Sequence, residues 1–214
     1  MTTPTPTPTP TLVLASASPA RAMLLRAAGV AFEVAPSRID EEALTAALGP
    51  VVAVTDLVAH LARAKAADVA PTIAAPDALI IGCDSMLEFE GLAHGKPLTP
   101  EAASERWRRM RGKTGTLHTG HHIIRIAGGM EAASAHAVVS TEVDFADVSD
   151  AEVEAYVATG EPLHVAGAFT LDSKGSAFIS GVRGDHANVV GLSLAGLRLL
   201  LQQVGVRWTD LWRA

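Results

Sequence analysis

Cysteine is almost absent from this 214-residue chain: Cys83 stands alone, so no intrachain disulfide can form. A single thiol fits a reducing compartment, and a cytoplasmic location is expected. Aromatic residues make up only 4%, and Trp107, Trp208 and Trp212 read as packing residues rather than platforms for stacked bases. Long apolar runs are missing too, because charge or turn residues interrupt each one, so no membrane span is expected. The first residues lack a basic segment followed by an apolar one, which argues against a secretory signal. Positive charge is not in excess: the net charge is −6, which argues against a general nucleic-acid binder. It leaves room for a nucleotide, which a few local cations and a metal can hold. Lysine is scarce, with four (Lys65, Lys96, Lys113 and Lys174) among 17 basic residues.

Familiar catalytic signatures are missing as well. There is no Walker lysine pattern and no G-x-G-x-x-G. Gly191-Leu192-Ser193-Leu194-Ala195 misses the G-x-S-x-G elbow at its last position. His118, His121 and His122 lack a zinc spacing, and on a strand His121 and His122 point to opposite faces. Cys83, in an apolar strand, reads as core more readily than as a nucleophile.

What is present is an apolar, globular composition: 49% hydrophobic and 19% charged. The length suffices for one large domain or two small lobes with a real core. Residues 1–10 hold an alternating Thr/Pro stretch that favours polyproline II, so a disordered tail is expected there. Residues 11–214 are expected to form a single domain.

Thr11 to Ala15 reads as a first strand, and Ser18-Pro19 as a helix start with Ser18 at N-cap and Pro19 at N1. That helix runs through Ala28 and ends at Gly29. Phe32 to Val34 is a short second strand. Helical spacing over Val51 to Ala70 places Val54, Leu57, Val58, Leu61 and Ala62 on one face. Leu79 to Gly82 reads as a buried strand and Pro100 to Met110 as a helix. Thr114 to Ala127 and Ala133 to Phe145 read as long antiparallel strands joined at Gly128-Gly129. Ser149-Asp150-Ala151-Glu152 resembles a helix N-terminus, with the helix running to about Ala158 and closing at Gly160. Residues 162–192 read as loop with a short strand near Ala177 to Ser180, before a last helix from Ser193 to Val204. Alternating strands and helices together with a long hairpin predict an α/β fold: a mixed twisted sheet flanked by helices.

Three places invite chemistry. Leu79 to Met86 is an apolar run broken by Asp84, with Gly95-Lys96-Pro97 about a dozen residues on. A charge at the end of a buried strand is costly to desolvate, so it is paired, bound to a cation, capping a turn or catalytic. Ser16-Ala17-Ser18-Pro19-Ala20-Arg21 joins a strand to a helix N-terminus, where free N–H groups attract anions and Arg21 can grip phosphate. The other reading is a plain cap with a surface arginine. Asp40, Glu41 and Glu42 form an acidic cluster that is either a solvated helix start or part of a magnesium site.

These residues, together with their surroundings, resemble the Maf proteins, named for septum-formation effects and similar to nucleotide pyrophosphatases. The matching segments are LVLASASPAR, IDEE, ARAKA around Lys65, IIGCDS, GKPLTPEAA, RGKTGTLHTG, SDAEVEAYVATGEPLHVAGAF and GDHANVVGLSL, in family order over residues 11–204. The resemblance implies two lobes around a nucleotide cleft, like the inosine triphosphate pyrophosphatases, with a divalent metal (magnesium, or manganese) and a homodimer. It implies Asp84 as proton acceptor, Arg21, Lys65 and Lys96 as phosphate-binding residues beside Ser16 of the helix entry, and Glu41 as a metal-holding or water-positioning carboxylate, with Asp84 either the base or a second metal ligand.

The chain departs from the family pattern at Ala20, where Arg or Trp is frequent, at Ser85, where Thr is frequent, and at Asp172, where one branch has Gln and another Glu. Arg38 replaces the first Asp of D-I-D-E, and His118 a frequent Tyr. Ala20, Ser85 and Asp172 are therefore the candidate base-specificity residues. The expected reaction is hydrolysis of a nucleoside triphosphate to monophosphate and pyrophosphate, as house-cleaning of non-standard or modified nucleotides. An ionised Asp172 only accepts hydrogen bonds, which suits a donor-rich edge such as guanine's. The alternatives are a nucleotide-binding regulator of cell division with little turnover, and a phosphate-ester hydrolase acting on non-nucleotides.

Overall fold

The computed structural model describes residues 10–49 and 52–212. The Thr/Pro tail therefore lies outside the described residues, apart from Pro10. The elements are β1 (Thr11–Leu14), α1 (Pro19–Ala27), β2 (Glu33–Val34), α2 (Glu41–Leu48), α3 (Val54–Val69), β3 (Asp77–Phe89) and β4 (Leu92–His94). They continue with α4 (Pro100–Met110), β5 (Thr114–Ala127), β6 (Met130–Phe145), α5 (Asp150–Ala158), β7 (Ile179–Arg183), α6 (His186–Val190) and α7 (Leu194–Gln203). Among the described residues the seven strands form one sheet in the order β2-β1-β3-β5-β6-β7, with β4 pairing β3. Pairing at the β2-β1-β3 end is parallel and the rest is antiparallel, so the sheet is mixed as expected.

Local chemistry accounts for the boundaries. Ser18 caps α1 by accepting from the Arg21 N–H, and Pro19 sits at N1, where its missing donor costs nothing. Thr99 and Pro100 do the same for α4. Ser149 and Glu152 form a reciprocal capping box at α5. Gly128 and Gly129, at φ 61° and 80°, make the two-residue turn that needs positive φ at both positions, so β6 starts at Met130, earlier than expected.

The strand expected to stop near Gly82 does not stop there. β3 runs to Phe89 and Asp84 lies at its middle, because β5 pairs with β3 continuously from Asp77 to Glu88. What ends instead is β1. Its last partner pair is Leu14 with Ile81, followed by one bond from Ala15 N to Ile81 O at 2.8 Å. β4 resumes pairing only at Leu87. Between these points β3 has β5 on one side and an opening on the other, and Asp84, Ser85 and Met86 stand at that opening.

The core is divided accordingly. One cluster gathers Leu12, Leu14, Leu25, Ile81, Leu197 and Leu201 between the sheet, α1 and α7. A second holds Val13, Ala66, Val69, Ile80 and Ile124 under α3. A third, around Leu87, Trp107, Phe145, Tyr156 and Phe169, lies beyond the opening. Trp107 is fully buried there, with Nε1 donating to Ala168 O at 2.7 Å, which bears out its packing role. No helix among the described residues is long and apolar enough to cross a membrane.

Candidate active site

A cleft of about 1050 Å³ opens where β1 ends, a volume at the upper end of the ~300–1,000 Å³ typical of small-ligand sites. Ser16, Ala20, Arg21, Glu41, Lys65 and Asp84 line it together with Lys96, Leu98 and Asp172. Residues more than 150 positions apart in sequence thus share one space.

Lys65 reaches Asp84 because α3 lies directly on the sheet. Its buried stripe is Val54, Leu57, Val58, Leu61, Ala62, Lys65, Ala66 and Val69, so Lys65 is a charged residue on an otherwise apolar face. Two glycines permit the approach. A Cβ on Gly82 would lie 2.0 Å from Ala62 O, and one on Gly120 2.2 Å from Val58 O. Lys65 Nζ then meets Asp84 Oδ1 at 2.6 Å and Glu41 Oε1 at 2.9 Å. Lys65 and Asp84 are buried, while the Glu41 side chain is half exposed. Burial drives the Asp84 carboxyl above its ordinary value, opposed by the charges of Lys65 and Arg21. Only one of its oxygens is engaged among the described residues.

Arg21 is buried on the other face of β3. Its Nε donates to Gly191 O at 2.8 Å, Nη1 to Ser16 Oγ at 3.0 Å and Nη2 to Ser85 Oγ at 3.0 Å. Ser85 also meets Thr119 Oγ1 at 2.9 Å, and Thr119 donates to Asn188 O at 3.1 Å. All of these partners are neutral. Among the described residues Arg21 pairs with no carboxylate, so a buried cation lines the cleft with only neutral hydrogen-bond partners. Ser16 holds the α1 entry loop as well, accepting from Ser18 N at 3.2 Å. The surface-arginine reading of Arg21 is therefore set aside. Both side-chain contacts of Ser85 go to Arg21 and Thr119.

Lys96 is exposed at the cleft rim. Its turn is fixed by Gly167 N donating to Gly95 O at 3.3 Å, by Arg106 Nη1 on the same carbonyl at 2.5 Å, and by Leu98 N donating to Leu163 O at 3.0 Å. Leu98 has φ 65°, a conformation that a branched side chain adopts only under strain, and it is exposed beside the cleft. Ala20 is half-buried and Asp172 exposed, and both line the cleft.

Several candidates fall elsewhere. Burial pushes the Cys83 thiol up to about 11, which keeps it protonated and inert. His121 accepts from Ser193 N at 2.9 Å, whereas His122 stacks on His136 across the sheet, on the opposite face. His118 bonds Ser140 at 2.8 Å and Glu88 at 3.1 Å. Among the described residues no group of three or more His, Cys, Asp or Glu converges. Sequence reasoning passed over Thr119, Asn188 and Gly191, which support Arg21; their only signal is non-local contact. It also passed over Leu98 and Glu161.

A family model described as Maf-like protein matches residues 11–204. The chain belongs to the Maf family. Similar relatives match the chain over most of their length. A protein of Rhodococcus opacus (strain B4) named nucleoside triphosphate pyrophosphatase is 51% identical over 197 residues, covering 91% of this chain and 92% of the relative. Proteins of the same name from Leifsonia xyli subsp. xyli and Streptomyces coelicolor are 51% and 52% identical, again over 91% of this chain and covering 93% and 90% of theirs. Maf membership and the mixed, curled sheet agree with the architecture that the motifs imply.

Proposed function

We propose that the chain hydrolyses nucleoside triphosphates between the α and β phosphates, releasing a nucleoside monophosphate and pyrophosphate. The observation that carries this reading is the convergence of Asp84 and Glu41 on Lys65, across β3 from a buried Arg21 that has no carboxylate partner among the described residues, in a cleft of nucleotide size. The pyrophosphatase names of the similar relatives support it.

In this reading Arg21, Lys65 and Lys96 bind the phosphates, and Ser16 and Ser85 hold the Arg21 guanidinium in place. Asp84 orients a water and takes its proton as the oxygen attacks the α phosphorus. The bond to the bridging oxygen breaks, and the cations offset the charge that builds on the leaving pyrophosphate. Glu41 and Asp84, drawn together by Lys65, would be the residues to hold a hard divalent cation such as magnesium or manganese, which favours oxygen ligands. Such an ion, when bound, lowers the charge on the phosphates and acidifies water.

Ala20 and Asp172 face the base. Asp172, as an acceptor, favours guanine or a methylated guanine over thymine, which has one N–H. A preference for the methylated base would make this a house-cleaning role toward modified nucleotides, and the family's homodimer and cytoplasmic setting belong to the same reading. The test is a panel of nucleoside triphosphates with magnesium, scored for pyrophosphate and monophosphate. Turnover with a guanine-type preference supports the reading. Tight binding without pyrophosphate release makes the protein a nucleotide-binding regulator instead, and a clear preference for dTTP refutes the base assignment.

A further inference from the structure

Glu161 gathers five donors. Its Oε1 accepts from Tyr156 Oη at 3.0 Å, Thr170 Oγ1 at 2.5 Å and Gly175 N at 2.9 Å. Its Oε2 accepts from Ser173 Oγ at 2.9 Å and Lys174 N at 3.3 Å. Four of these donors bracket Asp172 on both sides. The fifth, Tyr156, is buried and packs edge-on against Trp107, so Glu161 fastens the segment to the core cluster around Trp107.

We infer that Glu161 is a positioning residue for base selection: it holds the segment 170–175 so that Asp172 presents its carboxylate to the nucleobase. The inference rests on the assignment of Asp172 to the base. Residues 170–173 lack strand or helix pairing and line the cleft, so their shape comes from side-chain bonds. Hydrogen bonds to an ionised acceptor are the strong ones, and five on one carboxylate over-determine the loop. The neighbouring Lys96 turn is tied separately, through the Leu98–Leu163 and Gly167–Gly95 backbone bonds. Loss of Glu161 therefore acts on the base end of the cleft before the phosphate end.

Glu161→Gln tests this at nearly constant size. Each carboxylate oxygen now holds one backbone N–H, from Gly175 and from Lys174. An amide offers one oxygen and one NH2 group, so whichever way it turns, one backbone N–H faces another donor. The readout is the ratio of kcat/KM for the preferred triphosphate to that for the poorest. Glu161→Gln is expected to shrink this ratio about tenfold, ~1.4 kcal/mol of discrimination, through a raised KM for the preferred base with kcat within about twofold. Asp172→Ala shrinks the same ratio, and the double variant adds little, since the two residues act in one chain. Thr170→Val, which removes a single donor, gives a smaller loss of the same sign and keeps the test open if the Gln variant does not fold.

A base ratio unchanged in folded Glu161→Gln, while Asp172→Ala alters it, overturns the proposal and leaves the Asp172 assignment standing. So does an equal fall in kcat for every triphosphate, which marks a purely structural role. A ratio unchanged in Asp172→Ala overturns the base assignment and this inference with it.

Discussion

Gly82→Ala puts the seating of α3 to the test. The added Cβ would lie 2.0 Å from Ala62 O and 2.8 Å from Ala66 N, both backbone atoms of the helix that carries Lys65. Real Cβ contacts stay above 3.0 Å, so the helix must retreat by about 1 Å. The Lys65–Asp84 bond, 2.6 Å at present, then lengthens beyond hydrogen-bond range unless the lysine stem unbends. Overpacking of this kind costs roughly 1–3 kcal/mol. At this chain length each kcal/mol lowers Tm by about 2–4 °C. A misplacement of about 1 Å at a catalytic group costs on the order of 100-fold in rate. The assay pairs a thermal melt with pyrophosphate release. The expected result is a folded protein melting several degrees lower, with kcat down by one to two orders of magnitude and triphosphate binding weakened less. A folded variant with unchanged melting and unchanged kcat would refute the argument that close helix seating sets the Lys65–Asp84 geometry.

Other outcomes follow from the same site. Asp84→Asn removes the proton acceptor but keeps an oxygen for Lys65, and Glu41 still balances the lysine charge. The expected loss is about 10²–10⁴ in kcat, with Tm changed by no more than about 5 °C; near-normal pyrophosphate release from the folded variant contradicts the role. Chelation with EDTA is expected to stop turnover and magnesium or manganese to restore it. Glu41→Gln raises the magnesium needed for half-maximal rate about tenfold, and activity that survives chelation argues against the metal. Burial pushes the Glu161 carboxyl up, but bonds from Thr170, Gly175, Ser173 and Tyr156 outweigh it and bring its pKa from 4.5 down to about 2. A depressed folded value means stability that is complete above the unfolded value and is lost as pH falls through the folded one. The Tm gap between the native chain and Glu161→Gln should therefore narrow as pH is lowered from about 4.5 toward 2; a gap independent of pH contradicts the bonding pattern.

Much of the frame can be read from short-range chemistry. Ser18-Pro19, Pro100 and the Ser149/Glu152 box mark helix starts, and Gly128-Gly129 marks the long hairpin, because caps and tight turns are decided by a few neighbouring residues. The course of β3 past Asp84 is different. Its second half reads as a polar break, and only pairing with β5 keeps it extended. α2 and α6 also start at local caps, Asp40 and Asp185, whereas β4 is a three-residue strand that exists only through its pairing with β3. Within the site, Asp84, Arg21, Lys65 and Glu41 are recognisable by motif, and Lys65 is doubly so, since it interrupts the apolar stripe of α3. The reason they meet is not local. It lies in Gly82 and Gly120, whose missing side chains matter only once the helix is in place, and in Thr119 and Gly191, which brace Arg21 from distant segments. Glu161 sits between the helix end at Gly160 and the stretch 162–192 that reads as loop, and its five donors are visible only in the folded chain.

The central claim is that Asp84 directs water at the α phosphorus. Turnover in water enriched in oxygen-18, followed by mass analysis of both products, tests it most directly. One labelled oxygen in the nucleoside monophosphate and none in the pyrophosphate is the expected result. Label in the pyrophosphate would place the attack at the β phosphorus and contradict the account.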